Sequence, residues 1–142
     1  MIKLVKKFWL ADAEAQAAIL MCIGTILLAL EGILTLAVDV PDTIEVQIAT
    51  GVLLAIFGTG CLELVWATRK EDDIVPRLMI TGSAGMFGLM CFEVIVRWLV
   101  ERIFDVLAPQ VTAWYALPCV FLFFLGLLIL AGREVRERWR NA

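Results

Sequence analysis

Four stretches of this chain, 17–38, 46–68, 78–100 and 111–132, each hold about twenty mainly apolar residues, enough to cross a bilayer. At a helical rise of about 1.5 Å per residue, such a stretch spans the roughly 30 Å hydrocarbon core. Inside lipid every backbone N–H and C=O must be bonded within the protein, so runs of this length cross as helices. The 142 residues are 62% hydrophobic, above the roughly 45–50% of soluble domains. No segment outside the four stretches is long enough for a soluble domain beside them, so the reading is one all-α integral membrane domain, residues 1–142.

The connections carry turn and charge signals: Asp39, Val40, Pro41 and Asp42 after the first span, Arg69 to Asp73 after the second, Ala108, Pro109 and Gln110 before the fourth. Loops this short join antiparallel neighbours, which gives a four-transmembrane-helix antiparallel bundle. Basic residues near span ends are retained in the cytoplasm. Lys3, Lys6, Lys7, Arg69, Lys70, Arg77, Arg133, Arg136, Arg138 and Arg140 fall on one side of the bundle, whereas the other loops hold only Arg102. Both termini are therefore expected inside, in a bacterial cytoplasmic (inner) membrane. Residues 1–16 alternate Lys3, Lys6 and Lys7 with Ile2, Leu4, Val5, Phe8 and Trp9, the pattern of a short amphipathic helix in the headgroup layer. It is expected to be retained, because the apolar run is too long for a signal peptide and lacks a clear small-x-small cleavage site before Asp39. Residues 133–142 form a basic cytoplasmic tail. Trp66, Trp98, Trp114, Tyr115 and Trp139 fall near the expected interfaces, where aromatic belts form.

Several functions are disfavoured by what the chain lacks. A net charge of −3, with its basic residues at span ends, does not suit a nucleic-acid partner. Histidine is absent, which removes the usual neutral-pH general base and the commonest metal ligand. The four cysteines, Cys22, Cys61, Cys91 and Cys119, lie one per span without a CxxC pair, and read as small packing residues. There is no HExxH, GxSxG or phosphate loop. No catalytic residue, metal site or cofactor is assigned, and an enzyme is not expected.

Charges inside the spans remain. Glu31, Glu63, Glu93 and Arg97 occupy positions where a central charge costs about 2.5–3.5 kcal/mol on insertion scales, so each needs compensation. Glu93, Arg97 and Glu101 are spaced i, i+4, i+8 and share a helix face. Arg97 would also reach Glu31 if the first and third helices pack together. Glu31, Glu93, Arg97 and Glu101 thus form an expected intramembrane polar cluster, either a neutralised ion-pair group or the lining of a hydrated path. Glu63 lies five residues from Thr68 and is read as an inner-end carboxylate. Gly24, Gly60, Gly82, Gly85 and Gly88 mark faces where helices approach closely, within one chain or between chains. The fourth span has no charge, carries Phe121, Phe123 and Phe124, and contains Pro118, a residue that bends helices.

Expected partners are the lipid bilayer and either further copies or other transmembrane subunits. Small size, glycine-bearing faces and intramembrane carboxylates suit a homo-oligomeric pore or channel, holin-like or ion-conducting. An accessory or assembly subunit of a larger membrane complex is the alternative. A small proton-coupled transporter is the third reading.

Overall fold

Every apolar stretch folds as a helix, and each helix extends beyond the span expected from hydropathy alone. The computed structural model describes residues 1–9 and 12–142. Leu10 and Ala11, inside the segment read as interfacial, lie outside the described residues. The elements are α1 (Ile2–Trp9), α2 (Ala13–Ala37), α3 (Ile44–Thr68), α4 (Ile74–Phe104) and α5 (Thr112–Asn141), with no strand among the described residues. The four longer helices are long and apolar enough to cross a membrane.

Local chemistry sets the boundaries. Thr43 caps α3 by accepting the Val46 N–H at 3.4 Å. Asp73 caps α4 by accepting the Val75 N–H at 3.2 Å, satisfying an orphan donor of the first turn. The chain leaves α4 at Asp105 with φ 50° and ψ 38°, a left-handed conformation that Asp tolerates better than most residues. At the other extreme α5 does not stop where the apolar run stops. The tail read as a separate segment, 133–142, continues the helix to Asn141. Its Arg and Glu residues are good helix formers, and Glu134 accepts from Arg138 at 3.1 Å one turn later. Helix α5 also runs through Pro118, which has no N–H to offer the Trp114 carbonyl.

Packing follows chain order: α2 lies on α3, α3 on α4 and α4 on α5, and no other pair forms an extended interface among the described residues. The bundle is therefore open, with α2 and α5 at its two edges. Each seam uses two glycines, one from each helix. A methyl group at Gly24 would lie 2.7 Å from the Phe57 Cβ, and one at Gly60 would lie 2.9 Å from the Leu20 Cβ. Between α3 and α4, a methyl added at Gly58 would lie 3.0 Å from the Cys91 Cβ, and one at Gly88 would lie 3.2 Å from the Cys61 Cβ. Between α4 and α5, a methyl at Gly82 would lie 2.5 Å from the Cys119 carbonyl oxygen, and one at Gly126 would lie 2.7 Å from the Met79 Cγ. In every seam the contacts run in opposite chain directions, so neighbours are antiparallel.

The buried apolar residues are correspondingly small: Ala17, Cys61, Val75, Ala84, Cys91 and Cys119. Large side chains such as Leu36, Trp114, Phe121 and Leu128 are exposed. Lipid tails are as apolar as leucine, so helices in a membrane associate by close approach and packing rather than by hiding apolar surface. Cys61, Cys91 and Cys119 take part in this packing, whereas Cys22 is exposed on α2.

Candidate functional site

Because α2 packs on α3 and not on α4, Glu31 meets a different partner from the Arg97 that a first-to-third contact would have supplied. Its Oε1 contacts the hydroxyl of Thr50 on α3. The same hydroxyl lies 3.0 Å from the Val46 carbonyl oxygen, and its single proton serves one acceptor at a time. This contact lies in the α2–α3 seam, in line with Gly24 and Gly60.

Glu93 is occupied in another seam. Its Oε1 accepts the Val111 N–H at 2.9 Å, and its Oε2 accepts the Thr112 hydroxyl at 2.7 Å. The Tyr115 hydroxyl also donates to Oε2. Helix α5 begins here, and its own N-cap residue, Val111, has no side-chain oxygen to bond the first amides. A carboxylate from α4 fills that place and sits at the positive end of the α5 dipole. Glu93 is thus a cap supplied by a neighbouring helix.

Arg97 and Glu101 pair along α4 at 3.6 Å, and both side chains are about one-third exposed. The four-residue cluster expected from sequence is therefore divided: Glu31 belongs to α2–α3, Glu93 to α4–α5, and Arg97 with Glu101 to one face of α4. Chain-order packing, which keeps α3 between α2 and α4, separates Glu31 from the other three, while the bonds from Val111, Thr112 and Tyr115 draw Glu93 to α5 although it lies one turn from Arg97 on the same helix. The Nε of Arg97 and the Oε2 of Glu63 are buried with no hydrogen-bond partner among the described residues.

At the opposite end of the bundle, the carboxylate that caps α4 also holds α5. Asp73 Oδ1 accepts Arg133 Nη1 at 2.7 Å in addition to the Val75 N–H. The Arg133 hydrogen bond, then the Val75 N–H, holds the Asp73 carboxyl below the usual carboxylate range. Nearby, the Arg69 guanidinium stacks 3.5 Å over the Trp66 ring.

The glycine seams include two positions that sequence reading passed over, Gly58 and Gly126, beside Gly24, Gly60, Gly82 and Gly88. Gly85 differs, since a methyl there would find its nearest neighbours, Cys119 Sγ and Val65 Cγ2, at an ordinary 3.9 Å.

From the Gly58–Cys91 crossing, α3 and α4 diverge toward the end that carries Asp42. A cleft of about 690 Å³ lies between them, walled by Thr50, Gly51, Leu54, Ala55, Val94 and Ile95. Across its mouth the Trp98 indole N–H donates to Gln47 Oε1 at 2.8 Å, and Gln47 Nε2 donates to Asp42 Oδ1 at 3.0 Å. No cluster of three or more metal-ligating side chains occurs among the described residues.

The fold and its seams define an all-helical, multi-pass membrane architecture. Comparison with protein-family models, curated proteins and solved structures finds no match to this chain.

Proposed function

We propose that the chain is a small, non-enzymatic polytopic protein of a bacterial cytoplasmic membrane that acts as a homo-oligomeric pore or channel, holin-like or ion-conducting. Both termini face the cytoplasm in this reading, and α1 lies as an amphipathic helix among the inner headgroups. The Lys and Arg asymmetry between the two ends supports that orientation. The observation that carries the pore reading is the open packing: α2 and α5 each have one extended helical interface. One chain is then a panel, and several panels side by side are needed to surround a lumen. The Arg97–Glu101 pair, about one-third exposed and with a buried Nε that has no partner among the described residues, supplies a polar strip for such a lumen or for a joint between copies.

The deciding experiment measures the intact mass of the detergent-extracted protein and ion or dye leakage from liposomes carrying it. A defined oligomer whose leakage changes in Glu93→Gln or Arg97→Gln supports the pore. A strict monomer that leaves liposomes tight overturns it. Reporter fusions at each terminus and in the 105–111 loop test the orientation.

One observation favours the alternative of an accessory or assembly subunit. Glu31 and Glu93 are both engaged in contacts between this chain's own helices, which gives them an architectural role without any conduction. The exposed Phe121 and Phe124 on α5 then form a docking face for an unrelated subunit. Stoichiometric co-purification of such a subunit distinguishes this reading from the first.

A further inference from the structure

The α3–α4 cleft has the makings of a ligand site independent of how copies assemble. Its volume of about 690 Å³ falls within the roughly 300–1,000 Å³ of small-molecule sites. Its walls are aliphatic over most of their extent, and its polar groups are concentrated at one end. That end is anionic: among the described residues Asp42 is the one ionisable group lining the cleft, and no Lys or Arg lines it. The adjoining loop adds Asp39, the first turn of α3 adds Glu45, and that loop contains no basic residue. Trp98 is among the lining residues at this end, with its N–H committed to Gln47, and an indole ring attracts a cation. Gln47 in turn donates to Asp42, so the three side chains form one ordered rim.

We propose that this cleft binds a hydrophobic monocation, its apolar body between α3 and α4 and its positive centre at the Asp42–Trp98 rim. An anion of the same size meets Asp39, Asp42 and Glu45, with Arg102, one turn beyond Trp98 on α4, as the one unpaired base at this end among the described residues. A neutral amphiphile gains the walls but not the rim. Gly51 makes the proposal testable without disturbing the fold, because it lines the cleft and a side chain added there meets no atom within 4 Å at its Cβ.

The test is equilibrium dialysis of the full chain in zwitterionic lipid nanodiscs against tetraphenylphosphonium and, separately, tetraphenylborate, with empty nanodiscs subtracted. These ions match in size and hydrophobicity and differ in sign. The expected result is saturable, protein-dependent binding of the cation about tenfold or more tighter than of the anion, since rim charge and ring both favour one sign. Asp42→Asn lowers cation affinity by about threefold, the scale of one exposed charge, and does not weaken binding of the anion. Gly51→Phe fills the cleft and removes the protein-dependent binding of the cation. Equal binding of the two ions overturns the proposal and marks the cleft as a groove filled by lipid tails. Cation binding unchanged in both variants overturns it as well, by placing the ion elsewhere. Asp42 is exposed and its change leaves the packing intact, so the charge arm stands even if the Gly51 variant misfolds.

Discussion

Replacing Gly82 by Ala tests the idea that glycine seams, rather than buried bulk, hold this bundle together. The new methyl would lie 2.5 Å from the Cys119 carbonyl oxygen, 2.7 Å from the Phe123 backbone nitrogen and 2.8 Å from the Phe123 Cβ. Two of these three obstacles are backbone, so no side-chain rotation relieves them, and α5 must move by about 1 Å to restore ordinary contact. Overpacking of this kind costs about 1–3 kcal/mol. A gap of that size along the rest of the seam forfeits about a quarter to a half of each van der Waals contact it opens. Against this, Ala gains about 1 kcal/mol over Gly in a helix. With two backbone obstacles and the opened seam contacts placing the cost at about 2–3 kcal/mol, the expected net loss is about 1–2 kcal/mol. Gly51→Ala is the control, because its methyl meets nothing within 4 Å and the helix gain of about 0.5–1 kcal/mol is left uncancelled. Gly126→Ala falls between them, since its closest obstacle is the flexible Met79 Cγ at 2.7 Å. Reversible unfolding in mixed micelles, followed by helicity, gives the order Gly51→Ala, wild type, Gly126→Ala, Gly82→Ala from most to least stable. A Gly82→Ala protein as stable as wild type would refute the reasoning.

Glu93→Ala removes the cap that α4 lends to α5, so amides 111–115 should exchange with solvent faster while those near Gly126 do not change; uniform exchange across α5 would count against the cap. Glu93→Gln keeps an acceptor and should fall between the two. The Asp73 carboxyl is held below its ordinary value, so its clamp on Arg133 is fully present above about pH 3.9 and is lost as pH falls through the lowered value. Thermal midpoints of wild type and Asp73→Asn should therefore differ near pH 6 and converge toward pH 2.5, and a constant difference would exclude the clamp. A membrane-permeant maleimide should label no thiol in the native protein, where Cys61, Cys91 and Cys119 are packed in the seams and Cys22 faces lipid in which the reactive thiolate does not form, and four after denaturation in SDS.

Much of the architecture was legible because bilayer thickness is so severe a constraint: four apolar runs of sufficient length leave little freedom in helix number. The helix ends were less legible, since hydropathy reports where lipid ends and not where backbone hydrogen bonding ends. Glu134 and Arg138 show the difference, prolonging α5 well beyond its apolar run. The polar residues were found individually, but their partners were not. Glu31 and Glu93 stand out as charges in apolar runs, yet which helix faces them depends on the order of packing. One clue to the Glu93 contact was present: Val111 cannot cap the helix that follows it, so a cap had to come from elsewhere. A second clue was Gly58 with Gly60. Residues two apart on a helix point to nearly opposite sides, and two such glycines place α3 between two close neighbours.

Packing strictly in chain order has a consequence for biogenesis. A helix that leaves the ribosome and enters the bilayer already finds, in the helix inserted just before it, the surface on which its glycine will seat. The first hairpin is complete once α3 has been made, and α4 and α5 then add to an edge that is already standing. Contacts between sequence neighbours also keep contact order low, which favours fast formation. Synthesis from N- to C-terminus and assembly from α2 to α5 proceed in step: α2 waits only for the next helix, and every later helix enters the lipid beside a partner already in place.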